Sequence, residues 1–281
     1  MKTALTLKTY EFKGMIFMNE VLTAFLMCLF AGLSTGLGSI SALLFKAENK
    51  IFSSLSLGFS AGVMIYVSMT EIMSKARVAL TSGMGEYIGA WVLFASFFSG
   101  ALLIVLIGKL IPAFEGENAE RCLSGIQGAS RKKLMRTGVM SAFAIALHNF
   151  PEGMATFVSA LRDPEIAIPI VVAIAIHNIP EGISVSLPVY RATASKRIAF
   201  TVSFLSGLAE PLGALLGWAL LLPFMSDTVF GIIFGMCAGI MVYISADEIL
   251  PSAEESGHHG IVMAGFLLGM AVMAFSLILF I

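Results

Sequence analysis

Eight apolar stretches of about 20 residues follow one another along the chain, at roughly 18–45, 51–74, 86–111, 137–160, 165–188, 198–222, 228–250 and 261–281. A helix of about 20 residues crosses the hydrocarbon core of a bilayer. Backbone at that depth must satisfy its own hydrogen bonds, so stretches of this length close into helices. The pattern predicts an all-α membrane protein with eight transmembrane helices. Composition agrees, since 58% of the 281 residues are hydrophobic and only 12% are charged, with a mean hydropathy of +0.92. Soluble domains carry about 25% charged residues. The spans use nearly all the chain, which leaves no room for a separate soluble domain. Residues 1–17 read as a short, flexible N-terminal lead without a signal-peptide cleavage pattern. Residues 18–281 read as a single eight-helix domain, with 112–136 as its one long loop. A net charge of −1 offers no basic field for nucleic acid. The three cysteines, Cys28, Cys122 and Cys237, fit neither a disulfide framework nor a zinc ribbon. They read as buried, inert thiols.

Basic residues set the expected orientation. With both termini outside, the inner side receives eleven Lys and Arg, most of them in the loop 112–136 and its flanks, and the outer side six.

Two windows of sixteen residues repeat. Residues 58–73 read GFSAGVMIYVSMTEIM and residues 235–250 read GMCAGIMVYISADEIL, with eight identities that include Tyr66/Tyr243, Ser68/Ser245 and Glu71/Glu248. Small residues recur in membrane helices because they pack closely, but that does not account for the paired Tyr, Ser and Glu. The windows fall in spans two and seven, which cross in opposite directions. The expectation is an inverted repeat, spans one to three against six to eight, arranged around spans four and five. Inverted repeats with a polar site near the midplane are a transporter signature.

Spans four and five carry the costliest residues. Residues 146–153 read ALHNFPEG and residues 175–182 read AIHNIPEG. Helical spacing gathers His148, Asn149 and Glu152 on one side of span four, and His177, Asn178 and Glu181 on one side of span five. Pro151 and Pro180 remove an N–H each, so the carbonyls of Leu147 and Ile176 lose a helical partner beside the polar face. Glu210, before Pro211 in span six, repeats the pairing of a carboxylate with a proline. An ionised side chain at a helix centre costs about 2.5–3.5 kcal/mol, so three glutamates cost on the order of 10 kcal/mol. No span centre holds a Lys or Arg to offset this. A divalent cation does so, with carboxylate, imidazole and amide oxygen as ligands. The ligand set suits Zn2+, Fe2+ and Mn2+; Ca2+ fits imidazole poorly and Cu+ prefers sulfur. Two such helices have ligands enough for one ion or for two with bridging glutamates.

Other polar groups have plainer readings. Glu71, Asp247 and Glu248 sit near span ends, as solvated residues or as entrance and exit carboxylates. His258 and His259 follow Glu254 and Glu255 in a solvated loop. The 17 methionines are flexible filler between helices.

The tandem HNxPEG segments, the AEPLGA of span six, the eight spans and the basic loop after span three together resemble the ZIP family of divalent-metal transporters. The 29-residue spacing of the motifs and the compact loops look most like its bacterial branch. The resemblance covers the chain from about residue 18. It implies uptake of zinc, and also iron, manganese, cobalt and cadmium, into the cytoplasm across a bacterial inner membrane, with both termini outside and a homodimer as an available assembly. It places an iron-type site on Asn149, Glu152, Asn178, Glu181 and Glu210, and a zinc-type site on Glu152, His177 and Glu181, with His148 nearby. Two departures stand out: the loop 112–136 holds no histidine, and Gly207 stands where some relatives place a further ligand three residues before the span-six glutamate.

Three functions compete. A permease independent of ATP fits the lack of a GxxxxGK[ST] loop. A zinc hydrolase within the membrane would need two histidines around a glutamate, as in HExxH, whereas this chain has His then Glu with a proline between. A receptor that binds metal without moving it is the third. The first reading is preferred; it makes the metal a cargo and the chain no enzyme, without a catalytic cofactor.

Overall fold

The computed structural model describes residues 2–44, 49–110, 128–162, 164–216, 219, 226–255 and 257–279. These form α1 (Lys2–Leu44), α2 (Lys50–Val67), α3 (Met73–Met84), α4 (Glu86–Leu110), α5 (Gly128–Arg162), α6 (Pro164–Thr193), α7 (Lys196–Gly207), α8 (Ala209–Leu216), α9 (Asp227–Ile244), α10 (Leu250–Glu254) and α11 (His259–Leu279). π-Helical turns at Ser68–Ile72 and Ser245–Ile249 join α2 to α3 and α9 to α10. With α7 and α8 also end to end, the described residues make eight rods, in the order expected from the apolar stretches, and contain no strand. Seven rods are long and apolar enough to cross a membrane. The eighth, α5, is less apolar because it carries HNFPEG and begins with the basic residues around Arg131–Arg136. Most of the loop 112–136 lies outside the described residues.

Local chemistry sets where rods begin. Asn49 caps α2, its Oδ1 accepting from the backbone N–H groups of Ile51 (2.9 Å) and Phe52 (3.2 Å). Ser195 and Ser226 cap α7 and α9 in the same manner. Gly85, at φ 80°, makes the tight turn from α3 to α4, a conformation open to glycine. α5 and α6 run through Pro151 and Pro180 as continuous helices.

The rods pack in two groups. In the first, α1 lies along α6, and α5 packs on α6 and α8. In the second, α11 lies along α2, and α4 along α9. Matched glycines set the closeness of the first group. A Cβ on Gly182 of α6 would strike the carbonyl of Thr35 on α1, and one on Gly153 of α5 would strike the carbonyl of Glu210 on α8. The main core lies where the groups meet, and includes Met64 and Val67 of α2, Ala144 of α5, Leu187 of α6, and Met241 and Ile244 of α9. α6 is central: 78% of its most apolar stretch is buried, against 17% for α4 at the periphery.

The two repeated windows adopt the same irregular backbone. Each π-turn opens on the matched serine, and that hydroxyl donates to a carbonyl four residues back: Ser68 Oγ to Met64 O at 2.6 Å, Ser245 Oγ to Met241 O at 2.7 Å. Serine hydroxyls that bond back in this way compete with the regular ladder, and the matched serines share the contact at both widened turns. A further serine of the first window, Ser60, donates across to Pro180 O of α6 at 2.7 Å and to Ser56 O at 3.0 Å. Ser60→Ala is expected to lose about 1 kcal/mol, seen as a lower thermal unfolding midpoint in detergent.

Candidate metal centre

α5 and α6 cross in opposite directions and present their HNxPEG segments to each other. The pairing is crossed. His148 Nε2 lies 2.7 Å from Glu181 Oε1, and His177 Nε2 lies 3.3 Å from Glu152 Oε2. Each motif's histidine thus holds the other motif's glutamate. His148 Nδ1 also lies 3.0 Å from Ala144 O, which fixes the ring. All four side chains are buried, with Glu152 the most accessible at 8%.

The asparagines turn elsewhere. Neighbours on a helix differ by about 100°, and Asn178 uses that turn to face α1 and α8. Its Nδ2 donates to Ala31 O at 2.9 Å and to Glu210 Oε2 at 2.8 Å. The spacing argument gathers His, Asn and Glu on one face; the structure divides Asn178 from its histidine and glutamate. Glu210 is fully buried. Asn178, three residues before Glu181, ties Glu210 to α6, and Gly153, next to Glu152, packs on the Glu210 carbonyl, so the three carboxylates share one region between α5, α6 and α8.

Hydrogen bonding there is incomplete. Among the described residues, Glu181 Oε2, Glu210 Oε1, Asn178 Oδ1, His177 Nδ1 and both polar atoms of Asn149 are buried without a partner. Buried polar groups are nearly always paired, so this concentration makes the region the candidate ligand site. The donor set is carboxylate, amide oxygen and imidazole, which is the chemistry of a divalent cation. Among the described residues no three His, Cys, Asp or Glu side chains close on one point as a finished metal site. Glu152 and Glu181 are instead held by the histidines in pairs.

The remaining candidates take other partners, although Glu71 neighbours Ile72, which shares a cavity with His148 and Glu152, and Glu71 Oε2 is buried without a partner among the described residues. Glu71, in the first π-turn, is bridged to Lys75 at 2.7 Å. Glu248, in the second, accepts from Thr137 Oγ1 at 2.9 Å and lies 3.8 Å from Arg136. Asp247 is exposed and accepts from Tyr243 at 2.9 Å. His259 meets Glu254 at 2.7 Å on the surface, and Glu255 meets Lys133 at 3.2 Å. These are ion pairs and hydroxyl–carboxylate hydrogen bonds, in the two π-turns and in the segment that follows the second of them.

One residue of the polar cluster is absent from the sequence reading. Thr35 is fully buried, and its Oγ1 has no partner among the described residues. It stands on α1 where Gly182 packs, as Glu210 stands on α8 where Gly153 packs. The signal is in the chain: residues 31–38, AGLSTGLG, and 206–213, SGLAEPLG, share Gly32/Gly207, Leu33/Leu208, Leu37/Leu212 and Gly38/Gly213, with Thr35 opposite Glu210.

Known proteins match this chain along most of its length. The family model described as ZIP zinc transporter matches residues 114–277. The protein named zinc transporter ZupT of Streptococcus mutans is 57% identical over 263 residues, covering 94% of this chain and 99% of that one. The protein of the same name from Chlorobium chlorochromatii is 55% identical over 265 residues, covering 93% and 99%. That from Clostridium perfringens is 50% identical over 284 residues, covering 96% and 100%.

Proposed function

The chain belongs to the ZIP zinc-transporter family, and we propose that it carries Zn2+ across the bilayer into the cytoplasm without hydrolysing ATP. Members of this family are transporters, which sets aside the zinc hydrolase. The observation that carries the reading is the crossed pair of HNxPEG motifs with Glu210 beside it: three buried carboxylates in one region, with open oxygens on Glu181 and Glu210. The transport site in this reading is His148, Asn149, Glu152, His177, Asn178, Glu181 and Glu210. Zinc favours the imidazole end of the set, around His148, Glu152, His177 and Glu181. The amide and carboxylate end, around Asn149, Asn178 and Glu210, suits Fe2+ and Mn2+, with Co2+ between the two and Cd2+ closer to zinc.

The arrangement supports an inverted repeat. Exchanging spans one to three with six to eight carries one π-turn onto the other. It also carries the contact of α11 with α2 onto that of α4 with α9, and the contact of α1 with α6 onto that of α8 with α5. The basic residues put both termini outside. The bilayer is the chain's solvent, and a homodimer is the assembly we expect in it.

Uptake of radioactive Zn2+ into proteoliposomes tests the reading. Flux of Zn2+ down its gradient, without nucleotide, is the expected result. Saturable binding with no flux would make the chain a receptor instead, and would overturn the proposal.

A further inference from the structure

Between the two groups of rods lies a cavity of about 10 Å3, lined by Ile72, His148, Pro151, Glu152, Phe234 and Cys237. That volume holds roughly one water molecule, or a bare ion of similar size. Ile72 and Phe234 make its apolar walls. His148 and Glu152 come from α5, and Cys237 from α9 in the other group. Cys237 is 6% exposed, and its sulfur donates no hydrogen bond among the described residues. Glu152 gives Oε2 to His177, and its side chain, 8% exposed, lines the same cavity.

The internal repeat makes the position informative. Cys237 aligns with Ser60, and Pro151 with Pro180. At the first place the hydroxyl of Ser60 is tied to Pro180 O at 2.7 Å. At the second, sulfur replaces that oxygen, the tie is missing, and a cavity opens onto a histidine and a glutamate. Cysteine as packing would need no cavity shared with a histidine and a glutamate. A thiol beside an imidazole and a carboxylate is a ligand set for soft and borderline divalent ions, whereas Mn2+ prefers oxygen.

We propose that Cys237 supplies a sulfur donor to a cation held at Glu152 and His148, and that this donor biases the chain towards Zn2+ and Cd2+ over Mn2+. The inference rests on the transport reading above and names the residue that sets its selectivity. On binding, the ion replaces the thiol proton, which leaves to water, and the sulfur stays as thiolate while the ion is present.

The full chain in proteoliposomes, given radioactive Cd2+ and Mn2+, tests it. Cys237→Ser and Cys237→Ala should each lower the Cd2+ to Mn2+ ratio of kcat/KM about tenfold. A second readout needs no transport. Titrating the detergent-purified protein with Cd2+ should raise an ultraviolet thiolate-to-cadmium band. The band should persist in the Cys28→Ser/Cys122→Ser double variant and vanish in Cys237→Ser. An unchanged ratio, or a band that survives Cys237→Ser, would overturn the proposal. A parent chain that moves neither ion would sink the transport reading alone, since the band decides the role of Cys237 by itself.

Discussion

Glu181→Gln is expected to cut Zn2+ uptake on the order of 100-fold while leaving a folded protein. Glu181 is fully buried, takes His148 at 2.7 Å through Oε1, and keeps Oε2 open. A cation at the centre would replace the histidine contact and use both oxygens. Glutamine keeps the shape and can still accept from His148, so the helices stay paired. What it removes is the negative charge that offsets a divalent ion in a medium that screens weakly. The measurement is uptake into proteoliposomes, with elution volume and thermal unfolding in detergent to establish that the variant is intact. A well-folded Glu181→Gln protein that transports within about twofold of the parent would remove Glu181 from the transport site.

The second large effect concerns stability. Gly182→Val places a side chain against the carbonyl of Thr35, and Gly153→Val places one against the carbonyl of Glu210. Both obstacles are backbone in the middle of a helix, and neither can swing aside as a flexible side chain would. Overpacking a tight contact costs about 1–3 kcal/mol where neighbours can adjust. Here each variant is expected to reach at least the top of that range, about 3 kcal/mol, because whole rods must separate. Thermal unfolding in detergent would show it, and the pair Gly153→Val/Gly182→Val should yield little folded protein. An unfolding midpoint unchanged in Gly182→Val would mean that α1 and α6 do not approach as closely as described.

Much of the fold was legible because a bilayer leaves the chain few choices. Long apolar stretches had to be helices, and their order along the chain is the order of the rods. The site residues could be nominated because Glu152, Glu181 and Glu210 are too costly in such stretches to be incidental. Their partners could not be named. Spacing says which side chains share a face of one helix, but nothing in it says that His148 meets Glu181 rather than Glu152, four residues along its own helix. That depends on how two rods cross. Nor does spacing reveal that Asn178 turns aside to Glu210 and Ala31. Thr35 escaped notice because threonine on an apolar helix is unremarkable until α6 packs against it. Cys237 read as a buried, inert thiol for a similar reason: a cavity shared by two groups of rods has no signature in either stretch of sequence alone.

The crossed pairs have a consequence for how the chain is made. Of the eight rods, α5 is the one that falls short of the length-and-apolarity standard met by the others. An apparatus that threads helices into lipid in order of synthesis meets Glu152 and His148 first, with nothing yet to neutralise them. Their partners, His177 and Glu181, arrive 25 and 33 residues later. Span four is therefore expected to enter together with span five, which delivers the matching base and acid. A chain halted between residues 162 and 177 is expected to hold span four in the bilayer less firmly than one that extends past Glu181.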